Sequence, residues 1–372
     1  MPSTPARNPL IDVLKGLACA AIVGHHLAFY GPMSDAALPL FPGLLAWLYD
    51  YGRMAVQLFL VLGGYLAAAS LAPQGLARFD SAPQQVARRF VRLVVPYAVA
   101  LVLAIAVAAL VRPWFGHPSV PAEPSLPQLL ANALLLQDVV GEEALSAGVW
   151  YVAIDFQLFA LAVLLLAGVR AVPGLAPEQR MRLLRALVVA GTAASLLVFN
   201  RQPGLDMWAL YFMGSYGLGM MACWAVRSGR PVPWLAGMAL LGGLALALDF
   251  RARILVALVS ALGLVWALRS PQLLPGGRVA VRLQRLGQMS YSVFLVHFPV
   301  CLLVNALVHL LWPQDPLPNA LGMLAAFALS LAAGRQLYLA VERPTPTWAL
   351  AWRWQATLVG AGVLAALADG VL

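Results

Sequence analysis

Few ionisable side chains interrupt the long apolar stretches of this sequence, and most are of types that move protons. They are Asp12, Lys15, His25, His26, Asp155, His297 and His309. Such groups are costly inside a membrane and usually mark functional sites. A histidine can take a proton from a hydroxyl near neutral pH, and a carboxylate can orient the ring and stabilise its charged form. We therefore predict that His26 and Asp155 are catalytic.

The spacing along the first apolar stretch distinguishes the two adjacent histidines. On a helix, His26 lies about 20° past three full turns from Lys15, whereas His25 lies about 80° short of that direction. Asp12 lies about 60° from Lys15, so Asp12, Lys15 and His26 share one stripe. A polar stripe on a membrane helix is expected to face the protein interior. Lys15 and His26 are ~16 Å apart along the axis, which suits an elongated substrate.

Composition sets the class of protein. Of 372 residues, 62% are hydrophobic and only 10% are charged, with a mean hydropathy of +0.82. A soluble domain has about 25% charged residues, so the sequence indicates a polytopic membrane protein. Disordered chains, nucleic-acid binders and disulfide scaffolds are excluded on the same grounds. The three cysteines lie in apolar runs without metal-ligand spacing, and we expect no metal and no permanently bound cofactor.

Apolar stretches of about 20 residues predict an all-α, polytopic helical membrane bundle of about ten transmembrane helices. Residues 10–30 are interpreted as a retained first helix and not as a cleaved signal peptide, because Asp12 and Lys15 interrupt the apolar run. An eleventh, weaker candidate lies at 354–370. The predicted division is residues 1–344 for the transmembrane domain and 345–372 for a C-terminal extension. The ten predicted spans are 10–30, 53–72, 94–112, 149–169, 183–199, 207–226, 234–250, 254–268, 289–311 and 320–341.

The arginines predict the orientation of the chain in the membrane. With the N-terminus in the cytoplasm, most arginines fall on the cytoplasmic side, in loops such as 73–93, and most acidic residues fall outside. The Pro-rich segment 113–148 becomes the longest external loop. His26 and Asp155 then both lie in the outer half of the membrane, at a similar depth, as a histidine–carboxylate dyad requires.

Several stretches of this sequence resemble acyltransferase family 3, the polytopic enzymes that acylate, usually O-acetylate, cell-surface polysaccharides. Lys15 and His26 match the family's basic residue, ten intervening residues and histidine. Gln57 stands where the family commonly has an acid, and Gly63 where it commonly has Ser. Asp155 stands where Glu is usual. The matching stretches are 11–18 with His26, 55–66, 88–97, 150–155, 290–297 and 342–344.

This resemblance implies an acyltransferase that transfers groups other than aminoacyl groups. Its donor is expected to be acyl-CoA, most simply acetyl-CoA, and its acceptor a hydroxyl of a cell-surface polysaccharide or of a lipid-linked precursor. The expected location is the bacterial inner membrane, with the lipid bilayer as surroundings; no nucleic-acid partner is expected, and the oligomeric state is left open. Beside the catalytic His26 and Asp155, the expected substrate-binding residues are Lys15, Arg53, Arg88, Arg89, Arg92, Trp150 and His297.

Three alternatives stay open from the residues alone. The cluster of Arg88, Arg89 and Arg92 could bind donor phosphates or could act only as a topology determinant. Histidine and aspartate within spans also suit a proton-coupled or lipid-linked-sugar transporter. An acyl-histidine intermediate is a second route for the transfer itself.

Overall fold

A computed structural model describes residues 8–270 and 276–368, which form helices and loops without a strand. Within these residues, sixteen α-helices follow one another. Three short 3₁₀ turns lie between some of them, and a π-helical turn at Tyr338–Glu342 follows α15. We label them α1 (Pro9–Phe29), α2 (Pro32–Ala37), α3 (Pro42–Tyr51), α4 (Ala55–Leu71), α5 (Ala82–Val111), α6 (Leu126–Ala133), α7 (Gln137–Val140), α8 (Trp150–Ala171), α9 (Pro177–Leu197), α10 (Ala209–Arg227), α11 (Val232–Leu248), α12 (Ala252–Arg269), α13 (Gly277–Gln288), α14 (Ser290–Leu311), α15 (Pro316–Leu337) and α16 (Trp348–Ala368).

The helices confirm the predicted all-α membrane bundle. Within the described residues, nine helical segments are long and apolar enough to cross a membrane, and the shorter α11 brings the number to the predicted ten. α16 has 21 residues but is not among the nine, so a span there stays a prediction, and residues 369 and 370 lie outside the described part. The nine are Pro9–Phe29, Pro42–Leu71, Ala82–Val111, Trp150–Ala171, Pro177–Arg201, Ala209–Arg227, Ala252–Arg269, Ser290–Leu311 and Pro316–Glu342.

Two predicted loops contain helix. The segment 73–93 was expected to be a cytoplasmic loop, but α5 begins at Ala82 and continues for 30 residues. Arg88, Arg89 and Arg92 therefore lie on a helix. The segment 113–148 carries α6 and α7, and the Ser125 hydroxyl caps α6 by accepting a hydrogen bond from the Gln128 N–H at 3.1 Å. Sequence periodicity missed both because short or charged helices lack a long apolar run.

The chain divides into two compact units. The first comprises residues up to Leu14, Met54–Arg89 and Ile154–Val281. Its centre is the crossing of α4 and α10, where a Cβ added to Gly64 would clash with the Tyr216 carbonyl oxygen and one added to Gly219 with that of Val61. Glycine permits this backbone approach, a packing mode common between membrane helices.

The second unit comprises Lys15–Arg53, Phe90–Ala153 and Arg282 onward. α14 and α15 pack closely in it, because Gly334 approaches the Cα of Val293, which a Cβ would meet at 2.6 Å. Asn305 on α14 joins this pair to α2, since its amide oxygen accepts from the Met33 N–H at 3.1 Å and its amide nitrogen donates to the Tyr30 carbonyl at 3.3 Å. Residues on α1 and α14 are thereby held in a fixed relation.

Candidate active site

The first helix carries His26 into the second unit. α1 begins where the Asn8 side chain accepts a hydrogen bond from the Leu10 N–H at 3.0 Å. Farther along, Gly16 lies against the Leu283 carbonyl, where any larger residue would clash. The Cys19 thiol lies 3.7 Å from the Ser290 carbonyl, at the start of α14. These contacts fix α1 beside α14 and bring their histidines to one level.

His26 and His297 face one another across α1 and α14. Nδ1 of His26 is in hydrogen-bond contact with Nε2 of His297, and both side chains are buried. The two rings are within 4° of parallel, with centroids 4.7 Å apart. Nδ1 of His297 lies 2.7 Å from the carbonyl oxygen of Phe294 on its own helix. The expected substrate-binding residue His297 is therefore the direct partner of the expected catalytic residue.

This chain of contacts defines the tautomers of both rings. A carbonyl oxygen only accepts hydrogen bonds, so Nδ1 of His297 carries the proton that Phe294 receives. Nε2 of a neutral His297 then holds a lone pair, and the contact requires a proton on Nδ1 of His26. Nε2 of His26 is left with its lone pair. That nitrogen is able to accept a proton.

A turn before α8 closes around the edge of the His26 ring. Gly148 has a φ of 82°, and a Cβ there would lie 3.1 Å from Cε1 of His26 and 3.2 Å from Cζ of Phe294. Both the left-handed backbone and the close approach favour glycine. Tyr151, in the first turn of α8, packs edge-on against Phe294, with their ring centres 5.6 Å apart. Trp150 itself is half-buried in the first turn of α8.

His25 has a different environment, as the helical phase predicts. Its Nδ1–H donates to the Leu48 carbonyl at 3.0 Å, at the end of α3, and its ring lies 5.4 Å from that of Phe29. Gly52 allows this approach, because a Cβ there would lie 2.8 Å from the Cβ of His25. His25 therefore links α1 to α3.

Asp155 has a charged partner in the first unit. Its carboxylate accepts a hydrogen bond from the guanidinium of Arg89 on α5, and the exposed fraction of the side chain is 8% for Asp155 and 34% for Arg89. The Arg89 guanidinium also lies 5.3 Å from the centre of the Phe159 ring. Gly63 faces the carboxylate, where a Cβ would lie 2.9 Å from Oδ1.

This ion pair corrects the expected position of Arg89. Arg170, at the other end of α8, donates to the carbonyls of Phe79 and Asp80 just before α5. Arg89 lies ~10 Å along α5 from its start, far enough for its long side chain to meet Asp155 inside the apolar part of α8. Arg89 therefore lies on a helix and not in a loop.

The other predicted substrate-binding residues are dispersed. Arg88 and Arg92 are exposed on α5, Arg53 is exposed in the turn before α4, and Lys15 is half-buried on α1. The structure thus brings together His26 with His297 and Arg89 with Asp155. His26 and Asp155 belong to different units, and their pairing as a dyad stays a prediction.

Gln57, at the family's acidic position, lies on α4 in the first unit. Its amide oxygen accepts a hydrogen bond of 2.6 Å from the Ser215 hydroxyl, and both side chains are buried. The amide and the hydroxyl are hydrogen-bonded to each other, so neither polar group is unpaired and no charge is buried at this position of the apolar bundle.

The family model described as an acyltransferase domain matches residues 8–335. The chain belongs to acyltransferase family 3. The match covers all the candidate site residues, and it supports a membrane acyltransferase over the transporter that the sequence left open. Comparisons with curated proteins and with solved structures give no match.

For a member of acyltransferase family 3, the His26–His297 contact is the most informative feature of the site. Sequence reasoning found both histidines but assigned His297 to substrate binding. The two are 271 positions apart, and only the packing of α1 on α14 brings them together. The available signal was that each is an ionisable side chain within an apolar helix, where an unpaired polar group is costly.

Proposed function

We propose that this chain is a membrane-bound O-acyltransferase that moves an acyl group, most simply acetyl, from acyl-CoA to a hydroxyl of a cell-surface polysaccharide or of its lipid-linked precursor. The observation that carries the proposal is the chain from Phe294 through His297 to His26, which leaves Nε2 of His26 unprotonated. Family membership supplies the reaction class.

In the proposed reaction, Nε2 of His26 takes the proton of the acceptor hydroxyl as its oxygen attacks the thioester carbonyl. A new C–O bond forms, and the C–S bond of the resulting tetrahedral intermediate breaks. The departing thiolate receives the proton from His26, so that the products are the ester and free CoA. His297 stabilises the positive charge that His26 carries between these steps by accepting its Nδ1–H bond.

The stripe on α1 suits an elongated donor. Lys15 lies ~16 Å from His26 along the helix, so a charged group of acyl-CoA near Lys15 would allow its thioester to reach His26. This arrangement predicts that Lys15→Ala raises the KM for acyl-CoA while kcat changes less, because the lysine does not take part in the chemistry.

A purified-protein assay tests the reaction. Protein in detergent or nanodiscs receives labelled acetyl-CoA and a panel of glycan acceptors, and acylated glycan and free CoA are measured. We expect turnover by the parent and by His25→Ala, and none by His26→Ala. His25→Ala is the matched control, because it is the adjacent residue and is bonded to a backbone carbonyl.

Two results would count against the proposal. The first is that neither acylated glycan nor free CoA forms with any acceptor. The second is equal loss of turnover in the two histidine variants when both insert normally. A labelled acyl group recovered on His26 would instead support the acyl-histidine route.

We further propose a bacterial inner-membrane location with a cytoplasmic N-terminus, on the basis of the arginine asymmetry. Cysteine labelling from outside the cell tests this orientation. A probe introduced as Ser125→Cys, at the start of α6, is expected to react. One introduced as Ser81→Cys, before α5, is expected to be protected, and the reverse pattern would invert the orientation.

A further inference from the structure

A cavity of about 250 Å³ lies in the first unit where α8 ends and α9 begins. Its walls come from the loop 75–77 after α4, from the last turns of α8 and from the first two turns of α9. Leu166, Val169 and Leu184 supply apolar lining. Arg170 and Arg180, each one turn nearer to the loop between the helices than Leu166 and Leu184, supply polar lining. The cavity is therefore amphipathic.

In the described part of the chain, the arginines at this cavity form no ion pair. Among residues 8–270 and 276–368, no carboxylate lies within ion-pair distance of Arg170, Arg180 or of Arg185, whose Nε is 3.0 Å from the position of a Cβ on Gly75. Elsewhere the described structure does pair a partly buried arginine with an acid, as in Arg89 with Asp155.

The hydrogen bonds of these arginines go to backbone carbonyls. Arg170 donates to Phe79 and Asp80, Arg180 donates to Val172 at 3.1 Å, and Arg185 donates to Gln74 at 3.0 Å. A guanidinium has five N–H donors, and a carbonyl carries no charge. These bonds hold the guanidinium groups in place and leave donors and net charge for an anionic ligand.

The position of the cavity limits the ligand. α8 and α9 both belong to candidate membrane spans, and the cavity lies at their connected ends. A connection between two spans is expected at a membrane–water boundary, because irregular backbone is excluded from the hydrocarbon region. This location suits a ligand with an ionic head and an apolar part. Basic pockets between membrane helices at this level bind phosphorylated headgroups.

We propose that this cavity binds a phosphate ester, with its phosphate at Arg170 and Arg180 and its apolar part against Leu166, Val169 and Leu184. Arginine suits this ligand because its planar fork matches phosphate oxygens. Two sources share this chemistry: the headgroup of an anionic phospholipid and the nucleotide phosphates of an acyl-CoA. The acyl-CoA source rests on the proposed function, whereas the phospholipid source does not.

Two binding measurements on the full chain distinguish these sources. In nanodiscs, native mass spectrometry compares retention of phosphatidylglycerol with that of phosphatidylcholine. In a neutral detergent, calorimetry measures binding of adenosine 3′,5′-bisphosphate, which carries nucleotide phosphates without an acyl chain. Neither measurement involves turnover, so a failed acyl-transfer assay and a failed binding assay are separate results.

Arg180→Gln is the test variant, and Arg182→Gln is its control. Arg182 lies two residues after Arg180 on α9, is exposed and does not line the cavity. Because one arginine contributes about 1 kcal/mol to binding an anionic headgroup, Arg180→Gln is expected to weaken binding about fivefold and Arg182→Gln less than about twofold. Ala77→Trp, which fills the cavity and keeps every charge, is expected to weaken binding as well.

Each outcome decides the proposal. A loss with Arg180→Gln and Ala77→Trp for phosphatidylglycerol alone assigns the cavity to a lipid headgroup, and a loss for the bisphosphate alone assigns it to the donor nucleotide. Equal binding of both ligands by Arg180→Gln and Arg182→Gln overturns the proposal. A single size-exclusion peak shows that a variant is folded. If Arg180→Gln fails this check, the proposal is tested by comparing ligand binding by Ala77→Trp with that by the parent.

Discussion

His297 holds His26 in the tautomer that leaves Nε2 of His26 free to accept a proton. The Phe294 carbonyl fixes the proton on one nitrogen of His297, and the other nitrogen then accepts from His26. In serine hydrolases an aspartate orients the catalytic histidine in this way. Here a neutral imidazole does so. A carboxylate at this buried, apolar position of α14 would be an unpaired charge, which is costly.

Replacing His297 tests its role as a positioning residue. His297→Phe keeps a ring in the space but removes the acceptor, and we expect kcat to fall by about 10²–10⁴-fold, the usual contribution of acid–base assistance. His297→Gln keeps an oxygen that can accept from Nδ1 of His26, so it is expected to lose less. The measurement is the rate of acyl transfer at saturating acyl-CoA.

A spectroscopic control separates positioning from general damage to the fold. The ¹⁵N chemical shifts of the His26 ring distinguish a proton on Nδ1 from one on Nε2. We expect the Nδ1–H tautomer in the parent and in His297→Gln, and a mixture in His297→Phe. An unchanged tautomer together with lost activity would show that His297 acts in some other way.

The fold was largely predictable from the sequence, because apolar runs of membrane length are a strong signal. The side-chain pairs were less predictable from the sequence. Helical phase separated His26 from His25, and the structure gives the two different partners. The Arg89–Asp155 pair was missed because α5 begins at Ala82, and its polar, Arg-rich first three turns resemble a loop when only hydropathy is considered.

Asp155 has two separable roles, one in the ion pair with Arg89 and one predicted in the chemistry. Asp155→Asn leaves Arg89 without its carboxylate, and we expect a loss of on the order of 2 kcal/mol in unfolding free energy, below the value for a fully buried pair because Arg89 is partly exposed. We also expect most acyl-transfer activity to be lost. Thermal unfolding in detergent and the transfer assay measure the two effects.

The double variant Arg89→Gln with Asp155→Asn tells these roles apart. Removing both charges is expected to restore most of the stability, because no unpaired charge is left. Activity should stay low if the carboxylate takes part in catalysis. Recovery of activity along with stability would make Asp155 a structural residue only, and the predicted dyad with His26 would be rejected.

Asp138, in α7 and outside the candidate membrane spans, makes the stability of its segment depend on pH. Burial raises the pKa of this carboxyl from 3.8 to about 6. The folded state therefore keeps a proton that the unfolded chain releases, so stability is greatest below pH 3.8 and falls as the pH rises to about 6. Above that the contribution is constant.

Hydrogen exchange of the segment 126–149 between pH 4 and 7 measures this effect, after correction for the intrinsic exchange rate. Protection is expected to decrease over the lower part of the range in the parent and to stay level in Asp138→Asn. Glu143, an exposed acid five residues on, supplies the control Glu143→Gln, which should behave as the parent does. An equal pH dependence in all three proteins would remove Asp138 as the cause.

The crossing of α4 and α10 predicts which glycines the bundle requires. A methyl group on Gly64 would clash with the Tyr216 carbonyl, and one on Gly219 with the Val61 carbonyl; both obstacles are backbone and cannot rotate away. Gly64→Ala and Gly219→Ala are each expected to lower the unfolding free energy by about 1–3 kcal/mol or more. Gly263→Ala in α12 meets no atom within 4 Å and should be neutral or slightly stabilising, because alanine favours a helix. Thermal unfolding midpoints of the three variants in one detergent measure the difference, and a Gly64→Ala protein as stable as Gly263→Ala would mean that α4 and α10 do not approach this closely.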